Sequence, residues 1–91
     1  MELKDTVQGM LSKDYKERFR AEYQQARIRY EKLLVLIRRA KDGQLDFDLS
    51  CPLELLELQE QAMRGYLIIL QERAVAEKID LGGMLNLVLD Q

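Results

Sequence analysis

Histidine and tryptophan are absent from this chain, and cysteine and proline occur once each. With no imidazole and with Cys51 alone, a zinc site of the usual nitrogen and sulfur donors is excluded, and no disulfide can close within one chain. Nucleophilic catalysis fails at its first step: the only hydroxyls besides the tyrosines are Thr6, Ser12 and Ser50, and no base stands to activate them. Gly82-Gly83 lacks the spacing and the lysine of a phosphate loop. No apolar run approaches the ~20 residues that span a bilayer, and MELKDTVQGM at the start has no signal-peptide core. These absences predict a cytosolic, non-enzymatic protein with no cofactor, no metal and no membrane span.

What is present reads as all-α. Leu3, Val7, Met10 and Leu11 share one face of a short helix over residues 1–11. Ser12 and the early Asp14 form a helix start, since a hydroxyl and an acid both suit the free N–H groups there. Phe19, Tyr23, Ala26, Tyr30, Leu33, Ile37 and Ala40 then step by alternating fours and threes, the spacing of a coiled-coil seam. That helix is expected over residues 13–42, on the order of 40 Å long, and to stop at Asp42-Gly43, where glycine accepts a left-handed conformation.

After a connector, Cys51-Pro52 opens a second long helix over residues 52–80, with proline at its first position and Glu54 and Glu57 in the first turns, where acids complement the helix dipole. Cys51 reads as an inert thiol beside that start. Leu56, Met63, Leu67, Leu70 and Ala74 mark one stripe of the helix; Leu55, Ala62, Tyr66 and Ile69 lie beside it. One partner helix cannot cover both. Gly65 is expected at a close helix approach, because a glycine inside a helix usually has a packing reason. Residues 82–91 form an apolar tail that is expected to pack on a neighbouring subunit or on its own hairpin.

The fold expected is therefore a single domain over residues 1–91, with a short N-terminal helix followed by an antiparallel hairpin of two long helices. A two-helix hairpin has no closed core, so a homo-oligomer, from dimer to hexamer, is expected.

Charge is divided unevenly. Residues 13–41 hold ten basic side chains against four acids, and residues 42–91 hold ten acids against three basic ones, within a net charge of −2. One reading is that a basic helix lies against an acidic one; the other is that the basic helix meets a small anion. Tyr15, Phe19 and Tyr23 form an aromatic stripe, and Lys16, Arg20 and Arg27 flank it about 100° away. Aromatic faces stack on bases, and Lys or Arg beside them take phosphate. The free N–H groups after Ser12 would add to an anion site. The plainer reading is that the aromatics are core and the cations solvate its edge. Duplex DNA is a poor partner for a chain of pI ≈ 5.2 with no recognition motif.

Three runs carry a resemblance: MLSKDYKERFRAEYQQARIRYEKL (Met10–Leu33), LDFDLSCPLELLELQEQAM (Leu45–Met63) and ERAVAEKIDL (Glu72–Leu81). Together they closely resemble a family of small phage and prophage proteins named after a protein of a crAss-like phage. The resemblance spans roughly residues 1–81 and implies a protein made in the cytoplasm of an infected bacterium. In size, hairpin pattern and expected oligomerisation the chain is also similar to phage sponges that soak up the nucleotide signals of CBASS and Thoeris defence. That similarity implies an anti-defence protein that sequesters a cyclic dinucleotide or ADP-ribose-type signal without cleaving it, with Tyr15, Lys16, Phe19, Arg20, Tyr23 and Arg27 as candidate ligand contacts. The alternative is a helical interaction module that docks on and inhibits a host or phage protein.

Overall fold

A computed structural model describes residues 1–82; the apolar tail expected over residues 82–91 thus lies, but for Gly82, outside the described residues. The architecture is all-helical, with no strand among the described residues. A 3₁₀ turn, Leu3–Thr6, runs into a single α-helical turn, α1 (Val7–Met10). The hairpin follows as α2 (Tyr15–Lys41) and α3 (Leu53–Glu77).

Each long helix is shorter than its periodicity predicts, and in each case a specific cap explains the difference. The start of α2 is capped by Asp14, not Ser12: the Asp14 carboxylate accepts from the Lys16 N–H at 3.0 Å. Ser12 supports that cap from one step back, accepting from the Asp14 N–H at 3.0 Å and donating to Glu17 at 2.6 Å. The first turn of α2 is thus already furnished with carboxylates and does not present an open anion site.

At its other end α2 stops where expected. Gly43 takes φ +68°, and the Gln44 N–H reaches back to the Arg39 carbonyl at 2.8 Å, the 6→1 bond of a glycine-terminated helix. Lys41 and Glu57 pair at 2.8 Å across the mouth of the hairpin. Pro52 stands just outside α3 as its N-cap, with ψ 144°.

The exit of α3 departs most from expectation. The helix expected to run to residue 80 ends instead at Lys78, which takes a left-handed conformation with φ 59° and ψ 45°. The Ile79 N–H then bonds the Ala74 carbonyl at 2.8 Å. A left-handed turn costs a residue other than glycine roughly 1–2 kcal/mol. The turn brings Ile79 and Leu81 back into the core beside Phe19 and Tyr23, and burying two aliphatic side chains offsets that cost several-fold.

The core lies between the two long helices. Phe19, Tyr23 and Tyr30 from α2 meet Leu67, Leu70 and Ala74 from α3, with Ala26, Leu34, Met63 and Ile68 packed around them. The four-three seam of α2 is therefore used within the chain, against α3. On another face of α2, Ala21 is buried under α1. There Gly9 makes the close approach expected of Gly65: a Cβ at Gly9 would stand 2.9 Å from that of Ala21, whereas nothing lies within 4 Å at Gly65.

Candidate functional site

At the end of the hairpin where α2 begins and α3 finishes, side chains from both helices close a polar cluster. The Tyr15 hydroxyl donates to Glu77 at 2.6 Å and accepts from Arg73 at 2.9 Å, while Arg73 also donates to Glu77 through Nε at 3.1 Å. The phenol's bond to Glu77 holds the phenol proton above its ordinary range, and the same bond holds the carboxyl of Glu77 below its own. Glu77 likewise keeps Arg73 firmly protonated. The guanidinium carbon of Arg73 lies 5.0 Å from the Phe19 ring centroid, a cation–π contact. The rings of Tyr15 and Phe19 are 6.2 Å apart and tilted by 60°.

Beside this cluster runs a groove of about 320 Å³ lined by Met10, Tyr15, Arg18, Phe19, Glu22 and Arg73. Arg18 on its rim is exposed and is steadied by a 2.8 Å bond from its guanidinium to the Ser12 carbonyl. Glu22 accepts from the Tyr66 hydroxyl, which burial, with that bond added, pushes up to about 12. The groove thus offers a half-exposed aromatic face, two guanidinium groups and one carboxylate.

The six residues singled out from the sequence are sorted by the fold into three places. Tyr15 and Phe19 line the groove, Phe19 buried and Tyr15 47% exposed. Lys16 and Arg20 point to the other flank of α2, where Lys16 reaches the Lys78 carbonyl at 3.5 Å and Arg20 the Asp80 carbonyl at 2.8 Å. These two cations secure the backbone just past the left-handed turn that ends α3. Tyr23 and Arg27 are buried: Tyr23 accepts from the Gln71 amide at 2.8 Å, and Arg27 pairs with Glu31 at 2.9 Å. As the chain stands, a ligand cannot reach either of them.

Arg18, Glu22 and Arg73 were not singled out. Arg18 and Glu22 were within reach of sequence reasoning, since they lie three residues beyond Tyr15 and Phe19 on the same side of the helix. Arg73 comes from the opposite helix, and only the register of the hairpin places it. Among the described residues, no cluster of three or more acidic, cysteine or histidine ligands could hold a metal, and no helix is long and apolar enough to cross a membrane.

A family model described as Sequestin matches residues 13–76, and the chain belongs to that family. The matched span comprises α2, the connector and nearly all of α3, the two helices that build the groove. The name denotes the sequestering of a ligand, which is binding rather than catalysis. No curated protein and no solved structure matches the chain.

Proposed function

We propose that this protein is a phage-encoded sponge that sequesters a cyclic nucleotide or ADP-ribose-type immune signal in the cytoplasm of an infected bacterium. The observation that carries the reading is the groove lined together by Tyr15, Arg18 and Arg73, in which Arg73 donates to the Tyr15 hydroxyl. An exposed ring stacks on a base, and guanidinium groups take phosphate in bidentate fashion. Glu22 supplies an acceptor for a ribose hydroxyl or a base amino group. Membership of a family named for sequestration supports binding without turnover.

Of the six candidate contacts, Tyr15 and Phe19 keep a direct role in this reading. Lys16 and Arg20 contribute long-range positive potential, and Tyr23 and Arg27 hold the wall from inside. At about 320 Å³ the groove is at the small end of ligand pockets. It accommodates one base with its phosphate, and a second copy of the chain would hold the other half of a dinucleotide. Inhibition then works by mass action: the sponge must match the signal in amount and bind it more tightly than the host effector does.

The test is to measure thermal unfolding of the purified protein against a panel of cyclic oligonucleotides and cyclic ADP-ribose isomers. A sequestered ligand raises the unfolding temperature in proportion to its binding, and chromatography after heating recovers it intact. Failure of every signal in the panel to stabilise the protein overturns this reading and favours docking on another protein.

A further inference from the structure

Five of the six residues that line the groove lie on α2 and α3, within the span matched by the family. The sixth, Met10, comes from the short segment before α2 and is 40% exposed. The backbone of the 3₁₀ turn and of α1 lies against α2 and not against α3. Three contacts fix the segment there. At Gly9 it comes so close to α2 that an added Cβ would stand 2.9 Å from that of Ala21, which is buried. The Ser12 hydroxyl donates to Glu17 at 2.6 Å. The Arg18 guanidinium donates through Nη1 to the Ser12 carbonyl at 2.8 Å. The glycine thus seats the segment, the next residue reaches the groove, and a carbonyl two residues further on holds one of the groove's cations.

Both the thioether and the carbonyl bear on a nucleotide. A thioether is apolar, polarizable and adaptable in shape, and it makes favourable contacts with aromatic rings. Met10 shares the groove with the exposed ring of Tyr15, so the groove offers a flat base two kinds of apolar surface. Arg18 uses only Nη1 on Ser12, and its Nε–Nη2 edge has no partner among the described residues. That edge suits a phosphate in bidentate fashion. An arginine already anchored at one nitrogen also loses less freedom on binding than an unanchored one.

We propose that the N-terminal segment is a wall of the ligand site: Met10 contacts the bound base, and Gly9 and Ser12 are positioning residues that seat Met10 and Arg18. The inference rests on the groove being where a nucleotide binds. It adds a contact from outside the two long helices, at a place where the hairpin alone leaves the groove open.

The experiment titrates the full chain, labelled at its methionine methyl groups, with millimolar adenosine 5′-monophosphate, a base carrying one phosphate. The Met10 methyl signal is expected to shift under the ring current of the base, in step with the Tyr15 ring signals. Met1, which lies beside Ile28 and Val35, and Met63, which packs on the core, are expected to stay put. Met10→Ala is expected to weaken binding several-fold with circular dichroism unchanged. Gly9→Ala, which lies outside the groove, is expected to weaken it several-fold too, and adding Ala21→Gly restores affinity by giving back the room. If the nucleotide moves the Tyr15 signals but not the Met10 methyl, or if both single variants bind as the parent does, the inference is overturned while the groove reading stands. A loss in Gly9→Ala that Ala21→Gly does not reverse overturns the positioning role. If the nucleotide moves neither signal, the groove reading falls and this inference with it.

Discussion

Arg73 lies over the ring of Phe19, with 5.0 Å between the guanidinium carbon and the ring centroid, and in the same position donates to the hydroxyl of Tyr15. One cation thus ties the buried end of the aromatic stripe to its exposed end. Glu77 holds the guanidinium in place, so the positive charge is oriented before any ligand arrives, which lowers the ordering cost of binding.

Arg18→Glu and Arg73→Gln are therefore expected to weaken affinity for the sequestered nucleotide by about tenfold or more each, since each removes a charge-assisted contact. Titration calorimetry on the two variants is the measurement, with circular dichroism as the control for folding. Lys16→Glu and Arg20→Glu are expected to act less on affinity than on stability, because their partners are the carbonyls of Lys78 and Asp80. The reverse ranking would place the site on the other flank of α2.

Gly9→Ala is expected to destabilise the protein by about 1 kcal/mol, as overpacking outweighs the better helix propensity of alanine. The new methyl would stand 2.9 Å from the Ala21 Cβ, and both neighbours are on backbone too short to give way easily. Gly65→Ala, with nothing within 4 Å, is expected to leave the folded hairpin intact and gain helix propensity. Chemical denaturation of the two variants side by side checks the contrast.

Tyr23→Phe is expected to cost about 1–2 kcal/mol while leaving the fold unchanged. The Gln71 amide donates to the Tyr23 hydroxyl in the core, and the Gln71 carbonyl oxygen is buried with no hydrogen-bond partner. Removing the hydroxyl takes away the amide's acceptor in a place water does not reach, and the desolvation of that group is no longer offset. Urea unfolding of the variant, and its reversal in Tyr23→Phe combined with Gln71→Leu, is the test.

How much of this was legible in the sequence depends on how local each feature is. The two long helices were, because the spacing from Phe19 to Ile37 and from Leu56 to Ala74 repeats with the helical period. The division of α3 into a stripe that meets α2 and a second stripe beside it was also visible, as Leu67 and Leu70 against Leu55 and Ile69. The caps were harder: Ser12 and Asp14 are both good caps, and only the observed hydrogen bonds choose between them. The end of α3, expected at residue 80, could not be read from its periodicity, since Lys78 turns left-handed for the sake of Ile79 and Leu81, which bury against a helix sixty residues earlier in the chain. The candidate site fails in the same way. Aromatic and basic residues on one helix looked like a site, but which of them stay at the surface is decided by α3, which buries Tyr23 and contributes Arg73.

Alkaline pH is expected to unfold the protein through its tyrosines. Burial, with the bond to Glu60 added, raises Tyr30 from 10.0 to about 12, and burial with the bond to Glu22 does the same for Tyr66. A phenol whose folded pKa is raised is held in its neutral form by the fold, so its contribution is complete below pH 10 and is lost as pH climbs from there towards about 12. Ultraviolet titration of phenolate is expected to show Tyr30 and Tyr66 ionising late, together with loss of helix. Tyr30→Phe removes one late step and moves the alkaline midpoint upward.

Lys78→Gly is expected to stabilise the protein by about 0.5–1 kcal/mol. At φ 59° and ψ 45° the lysine Cβ crowds the backbone, and glycine relieves that crowding at the position where helices most often carry it. Part of the gain is returned, because a glycine leaves the unfolded chain more freedom to lose. The side chain of Lys78 is exposed, and its carbonyl, the group that Lys16 reaches, is present in either residue. Lys78→Ala keeps the Cβ and is therefore expected to leave stability unchanged, which separates backbone relief from loss of charge. Equal stabilisation by both substitutions would instead assign the effect to the lysine's charge, and a loss in the glycine variant alone would mean that the turn is held by more than the burial of Ile79 and Leu81.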